Sequence, residues 1–247
     1  MSETWIVGIN PVEGALANDP ERVREVMVER GSRNARVTAI AELARKLKIV
    51  VKEASKEALE RASSEERHQG AIARYETPPM HSEADLPELV EKAGGDALFL
   101  VLDGVTDPHN LGACLRSAAA AKVTAVIVPK DRAVGLTPTV RRASAGGADL
   151  VPLVAATNLA RALRELKDAG VWLTGLAGDT DQSIYAMDLK GPVALVLGSE
   201  GEGMRRLTRE TCDFVARIPM PGSMESLNVS VATGIVLFEA LRQRGDK

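Results

Sequence analysis

Four small polar side chains crowd the start of one apolar run. Ile218 to Ala232 reads IPMPGSMESLNVSVA. Pro219, Pro221 and Gly222 keep the first part out of regular structure. Ser226 and Asn228 then stand where a helix begins, ahead of the apolar run Val229 to Leu241. A helix start needs one Ser or Asn as a cap, yet Ser223, Ser226, Asn228 and Ser230 fall within eight positions. The surplus suits a pocket wall that hydrogen-bonds a ligand. A capped helix after an ordinary loop is the plainer alternative.

Two further segments follow apolar stretches that read as strands. In Leu102 to Ala118, LDGVTDPHNLGACLRSA, a strand ends at Asp103 and Asn110 is placed to cap the next helix. Arg116 follows six residues later among Gly112, Ala113, Cys114, Ser117 and Ala118. Small neighbours let another chain approach, and the arginine could reach past them to a phosphate or carboxylate. A simple cap and a surface arginine are the alternatives. In Val196 to Met204, VLGSEGEGM, Gly198, Gly201 and Gly203 allow backbone to come close to a ligand. Their spacing is neither the dinucleotide fingerprint nor a Walker loop, so a tight strand-to-helix turn serves equally well.

The rest of the inventory is informative by what it lacks. No cysteine nucleophile or pair of acids accompanies these loops. The three histidines, His68, His81 and His109, have no metal-ligand spacing, and no metal is expected. Asn, Ser, Arg, Glu and backbone suit positioning chemistry, with a reactive cofactor carrying the hard step.

The elements that must position these residues read as alternating strands and helices. From residue 97, Leu98 to Leu102, Ala125 to Val128, Leu150 to Val154, Val171 to Leu176, Val193 to Leu197 and Phe214 to Ile218 are strands. Helices are expected at Asn110 to Ala121, 137–145, Asn158 to Ala169, Arg205 to Thr211 and Leu227 to Arg242. Continuous apolar strands alternating with helices imply an α/β fold with a mainly parallel sheet covered on both faces. Such sheets bind ligands at the C-terminal ends of their strands, where all three segments lie. Residues 1–77 alternate shorter elements and read as a small α/β domain. The intervening stretch, rich in proline and acids, makes 78–95 a linker and 96–247 the second domain.

Composition bounds the rest. The chain has 247 residues, 45% of them hydrophobic, enough for a sizeable core. Aromatics at 3% argue against recognition by base stacking. Cys114 and Cys212 are far apart and fit idle thiols in a reducing cytosol. The start MSETWIVGIN lacks a signal peptide, and no run approaches about 18 apolar residues, so a cytoplasmic protein without a membrane span is expected. Net charge is −3, but residues 30–52 hold seven Lys or Arg against Glu42 alone. That excess could follow a phosphate backbone, with Arg33, Arg36, Arg45 and Lys46 as its candidate contacts; a solvated helix face is the alternative.

In order and spacing, the three segments resemble the SpoU (SPOUT superfamily) RNA 2′-O-ribose methyltransferases over roughly residues 96–247. Residues 1–75, ending in HQGAIARY, are similar to the ribosomal-protein-like substrate-binding domain that many of these enzymes carry. The resemblance implies a parallel sheet whose C-terminal segment is threaded into a trefoil knot. It implies S-adenosyl-L-methionine held by Leu176, Ala177, Gly178, Gly198, Ile218 and Leu227, and a homodimer built on the last helix. It implies a site of Asn110, Arg116, Glu200, Ser226 and Asn228. The family's arginine is proposed as general base; because a free guanidinium has a pKa above about 12, a phosphate clamp is the milder role. The expected reaction is methyl transfer to the ribose of a guanosine in large-subunit ribosomal RNA. A transfer-RNA 2′-O-methyltransferase of the same superfamily and a non-catalytic ribosome-assembly factor are the alternatives.

Overall fold

The computed structural model describes residues 2–64, 68–77, 81–131 and 133–245. In chain order the first elements are β1 (Ser2–Val7), α1 (Ile9–Asn18), β2 (Val23–Glu29), α2 (Ala35–Lys46), β3 (Val50–Ala54), α3 (Lys56–Ser63) and β4 (Ala71–Thr77). Then come β5 (His81–Ser82), α4 (Leu86–Ala93), β6 (Leu98–Asp103), α5 (Pro108–Ala120), β7 (Ala125–Pro129), α6 (Pro138–Ser144), α7 (Gly147–Leu150) and β8 (Leu153–Ala156). The chain finishes with α8 (Leu159–Asp168), β9 (Trp172–Leu176), β10 (Val193–Gly198), α9 (Arg206–Thr211), β11 (Phe214–Ala216) and α10 (Val229–Arg244). Among the described residues no helix is long and apolar enough to cross a membrane.

The chain divides into two compact units. One comprises residues 1–79 and 136–150, the other residues 80–135 and 151–247. The first unit has a four-stranded mixed sheet in the order β1-β4-β2-β3. Its core gathers Ile6, Val12, Leu16, Val26, Ile40 and Tyr75. The inserted segment belongs here because α6 packs on β1 and α7 on α1. Arg141 is buried, pairs with Asp149 and lies 5.7 Å from the centre of the Tyr75 ring. The Tyr75 hydroxyl in turn donates to Asp19 at 2.5 Å.

The second unit is a seven-stranded sheet in the order β11-β9-β10-β6-β7-β8-β5, and all its pairings are parallel. Every residue of β6 is buried, which is why that strand reads as unbroken LFLVLD. Phe99 and Val101 face a core shared with Leu159, Leu163 and Leu166 of α8. Against β10 pack α10 and, beside it, α5. Two sequence expectations shift. The stretch expected to be a linker contributes β5, which extends the sheet beside β8, and α4, which packs on α8. The last helix begins at Val229, with Asn228 as its cap accepting from the Ser230 amide at 2.9 Å.

Candidate active site

Strands β6, β9 and β10 run parallel, so their C-terminal ends bring three loops to one edge of the sheet. The loop after β10 is the most constrained. A Cβ on Gly198 would fall on the Gly203 carbonyl carbon and the Met204 amide, so no other residue fits. The loop returns on itself through Ser199 N to Gly203 O at 3.2 Å and Gly203 N to Ser199 O at 3.0 Å. Its far end is clamped by Asp103, the buried last residue of β6, which accepts from Arg205 N at 2.9 Å and Arg205 Nε at 2.6 Å. Sequence reading missed this pair, since nothing local links two residues so far apart in the chain.

Between those anchors the loop presents Glu200. One of its oxygens, Oε1, accepts three bonds: Asn110 Nδ2 at 3.1 Å, Asn228 Nδ2 at 2.6 Å and the Val229 amide at 3.1 Å. Asn228 Nδ2 also donates to Asn110 Oδ1 at 3.0 Å. The donors are neutral, and one is a free amide at the N-terminus of α10, where a carboxylate is favoured. Glu200 is exposed, which leaves Oε2 open to a ligand. The structure thus gathers Asn110, Glu200 and Asn228 into one network. Asn110 is not the helix cap: Asp107 caps α5 by accepting from His109 N at 2.9 Å, with Pro108 in the first turn. That frees the Asn110 amide for Glu200. The Asp-Pro dipeptide was the signal for the true helix start.

Beside the network lies a cavity of about 400 Å³. Leu176, Ala177, Gly178, Gly198, Ile218 and Leu227 all line it, and Ser226 joins them. Its wall combines backbone with aliphatic side chains, the lining expected for a nucleoside-bearing cofactor. A smaller cavity of about 90 Å³, lined by Gly104 to Asp107 and Asn110, shares Ser199, Glu200 and Val229 with it. Glu200 therefore stands between the two. Arg116 is separate from the network. Six residues along an α-helix turn about 600°, which points it about 120° away from Asn110. Its side chain is exposed.

The residues expected to hold RNA lie in the first unit and divide into two sorts. Arg36 is tied to Glu13 by two bonds, at 3.1 and 2.5 Å, and to Asn10 at 2.6 Å. The Glu13 hydrogen bond raises its pKa. Arg45 pairs with Glu53 at 3.3 Å. Arg33 and Lys46 are exposed.

A parallel sheet with a backbone-walled cavity at its strand ends, and a polar network with no nucleophile, defines an α/β enzyme of the cofactor-dependent group-transfer class. The chain belongs to the SpoU rRNA Methylase family, which matches residues 97–238. Residues 5–80 match the family described as RNA 2′-O ribose methyltransferase substrate binding. The chain is 60% identical to the 23S rRNA (guanosine-2′-O-)-methyltransferase RlmB of Xylella fastidiosa, over 97% of this chain and 96% of that protein. It is 51% identical to the protein of the same name from Pseudomonas aeruginosa, again over 97% and 96%. Its fold is similar to the SpoU methyltransferase AviRb of Streptomyces viridochromogenes, solved with AdoMet. There the TM-score is 0.81 and the identity 26%, covering 98% of this chain and 90% of that one.

Proposed function

We propose that this protein transfers a methyl group from S-adenosyl-L-methionine to the ribose 2′-hydroxyl of a guanosine in large-subunit ribosomal RNA, in the cytoplasm. The reading is supported by the carboxylate of Glu200, held by neutral donors between a large backbone-walled cavity and a small one. S-adenosyl-L-methionine supplies an electrophilic sulfonium methyl when bound. The chain's own task is to place a weak nucleophile and exclude alternatives, and alignment alone can account for much of a rate. Asn110, Asn228 and the Val229 amide fix Glu200, whose open Oε2 accepts a hydrogen bond from the target ribose. Ser226 orders the cavity wall. Arg116 takes a phosphate beside the target nucleotide and so aligns the hydroxyl. Leu176, Ala177, Gly178, Gly198, Ile218 and Leu227 hold the cofactor. The first unit supplies affinity for RNA.

Two structural readings accompany the function. The active form is a homodimer through α10: Val231 and Phe238 are 50% and 51% exposed and lie seven residues apart on one face. Val229 and Val236 are buried within the chain itself. Sedimentation showing only monomer at micromolar concentration would count against the dimer. The C-terminal segment is threaded as a trefoil knot, as the family resemblance implies. An experimental structure in which that segment pierces no loop would refute it.

The test of function is direct. The protein is incubated with methyl-tritiated cofactor and unmodified large-subunit ribosomal RNA, and the product is digested to nucleosides. The expected label is in 2′-O-methylguanosine at one position. Label in a methylated base, or nowhere, would overturn the proposal.

A further inference from the structure

Three turns of the first unit meet at one end of its four-stranded sheet, and hydrogen bonds join them into a continuous rim. The turn after β2 carries Arg30, Gly31, Ser32 and Arg33; Gly31 has φ +71°, and Ser32 N donates to Glu29 O at 3.2 Å. Glu29 N donates to Gly70 O at 2.9 Å, which joins this turn to His68-Gln69-Gly70. Gln69 Oε1 accepts from Ile9 N at 3.3 Å, which joins that turn to Gly8-Ile9-Asn10 after β1. Asn10 Oδ1 accepts from Arg36, closing the rim at the first turn of α2.

The rim is stiff, and its charges are unevenly satisfied. Gln69 is exposed yet held at φ +54°, a conformation that costs a side-chain-bearing residue energy. With its carbonyl oxygen on Ile9 N, its amide nitrogen is left to the solvent side. Beneath, the buried His68 accepts from Gly70 N through Nδ1 at 3.0 Å, while its Nε2 has no hydrogen-bond partner among the described residues. Arg36 is neutralised by Glu13, and Glu29 is the other acid at the rim among the described residues. Arg30 and Arg33 are exposed and make no ion pair among the described residues, unlike Arg24, Arg36, Arg45, Lys52 and Arg74 elsewhere in the unit.

We infer that this rim, with Arg30, Arg33 and the Gln69 amide as its contacts, is the surface of the first unit that grips the RNA backbone, and that the opposite end of α2 is not. The inference rests on the RNA-directed reading above and makes it specific. An arginine already paired with a carboxylate gains little from a phosphate, because it must first give up its partner. An unpaired one on a pre-ordered turn binds without that cost and without ordering a loop. Lys46 and Lys48 are also exposed cations, but they lie at and just beyond the far end of α2, about 18 Å away along the twelve residues of the helix. The division revises the candidate contacts: Arg33 stays, Arg30 and Gln69 join it, and Arg36 and Arg45 act as structural ion pairs.

The test compares the two ends in the full-length protein, with an unmodified large-subunit ribosomal RNA transcript as probe. Arg30→Gln/Arg33→Gln should weaken RNA binding about tenfold and make the log–log salt slope shallower by about 1.4 to 1.8, two lost phosphate contacts. Gln69→Glu keeps the acceptor for Ile9 N and the side-chain size but replaces the donor with a charge that repels phosphate. It should weaken binding while leaving thermal melting unchanged. Lys46→Gln/Lys48→Gln should leave both affinity and slope near wild type. Equal losses at both ends, or a loss only in the Lys46/Lys48 variant, would overturn the inference. Methyl transfer at saturating RNA separates the two readings. Rim variants should raise KM and keep kcat, whereas a wild-type protein that transfers no methyl group refutes the function while the binding comparison still judges the rim.

Discussion

The sheet of the first unit and the Glu200 network of the second treat charge in opposite ways. On the sheet of the first unit, carboxylates neutralise cations: Lys52 and Arg74 both reach Glu25, and Arg24 reaches Glu76. In the Glu200 network of the second unit the carboxylate is the group being held, and no cation among the described residues holds it. Glu200 is surrounded by two side-chain amides and a backbone N–H, while Arg116 on the neighbouring helix stands exposed. An ion pair would satisfy both partners and leave neither for a substrate. Neutral donors fix a carboxylate in place and leave its negative charge and one oxygen for use. The contrast teaches where a ligand is expected: at the charges the fold leaves unneutralised.

The largest expected effect is at Arg116. Arg116→Ala should lower single-turnover methyl transfer by about 10³-fold while cofactor affinity, measured by calorimetry, stays within a factor of two. Loss of cofactor binding would move Arg116 to the other cavity. Arg116→Lys should be nearly as poor, because an ammonium cannot make the planar two-pronged contact. Next is Glu200→Gln, which can keep the three bonds through its amide oxygen but replaces the open, charged Oε2 with a neutral donor that cannot accept from the ribose. A fall of about 10²-fold in kcat is expected with the fold intact. Unchanged kcat would reduce the Glu200 network to a scaffold for α10.

A smaller effect is expected from Gly198→Ala. A Cβ there forces the Gly203–Met204 backbone to shift, so cofactor Kd should rise by at least about tenfold. An unaltered Kd would show that the Gly198–Gly203 approach plays no part in the pocket. At the opposite end of α10, Arg244 donates to the carbonyls of Leu189, Asp96, Ala97 and Gly191. Arg244→Ala should cost about 1–3 kcal/mol in denaturant unfolding and leave turnover per folded molecule unchanged. The smallest effect belongs to the first unit: Arg45→Ala, removing an exposed pair with Glu53, should change stability by less than about 1 kcal/mol.

Much of the second unit could be read from sequence because its information is local. Runs such as Leu98 to Leu102 announce buried parallel strands, and the glycines after β10 announce close backbone approach. The resemblance names six cofactor residues, and all six line the large cavity. What was not legible depends on distance in the chain or on competing partners. His81 and Ser82 form a strand only because β8 offers them an edge. The cap of α5 was assigned to Asn110 although Asp107-Pro108 stood three residues earlier. Cation counting marked residues 30–52 as basic but could not see that Glu13 and Glu53, outside or at the margin of that stretch, take up Arg36 and Arg45. Membership of residues 136–150 in the first unit, through Arg141, Asp149 and the Tyr75 ring, left no mark in any periodic pattern.

The central claim is that Arg116, which makes no ion pair among the described residues, is there for a substrate phosphate to neutralise. A coupling measurement tests this most directly. Single-turnover methyl transfer is measured for the wild type and Arg116→Ala, each on RNA carrying either a normal phosphate or an uncharged methylphosphonate beside the target ribose. The account expects the uncharged linkage to slow the wild type about as much as the substitution does, and to slow Arg116→Ala no further. Full additivity of the two losses, with the alanine variant still sensitive to the missing charge, would contradict it.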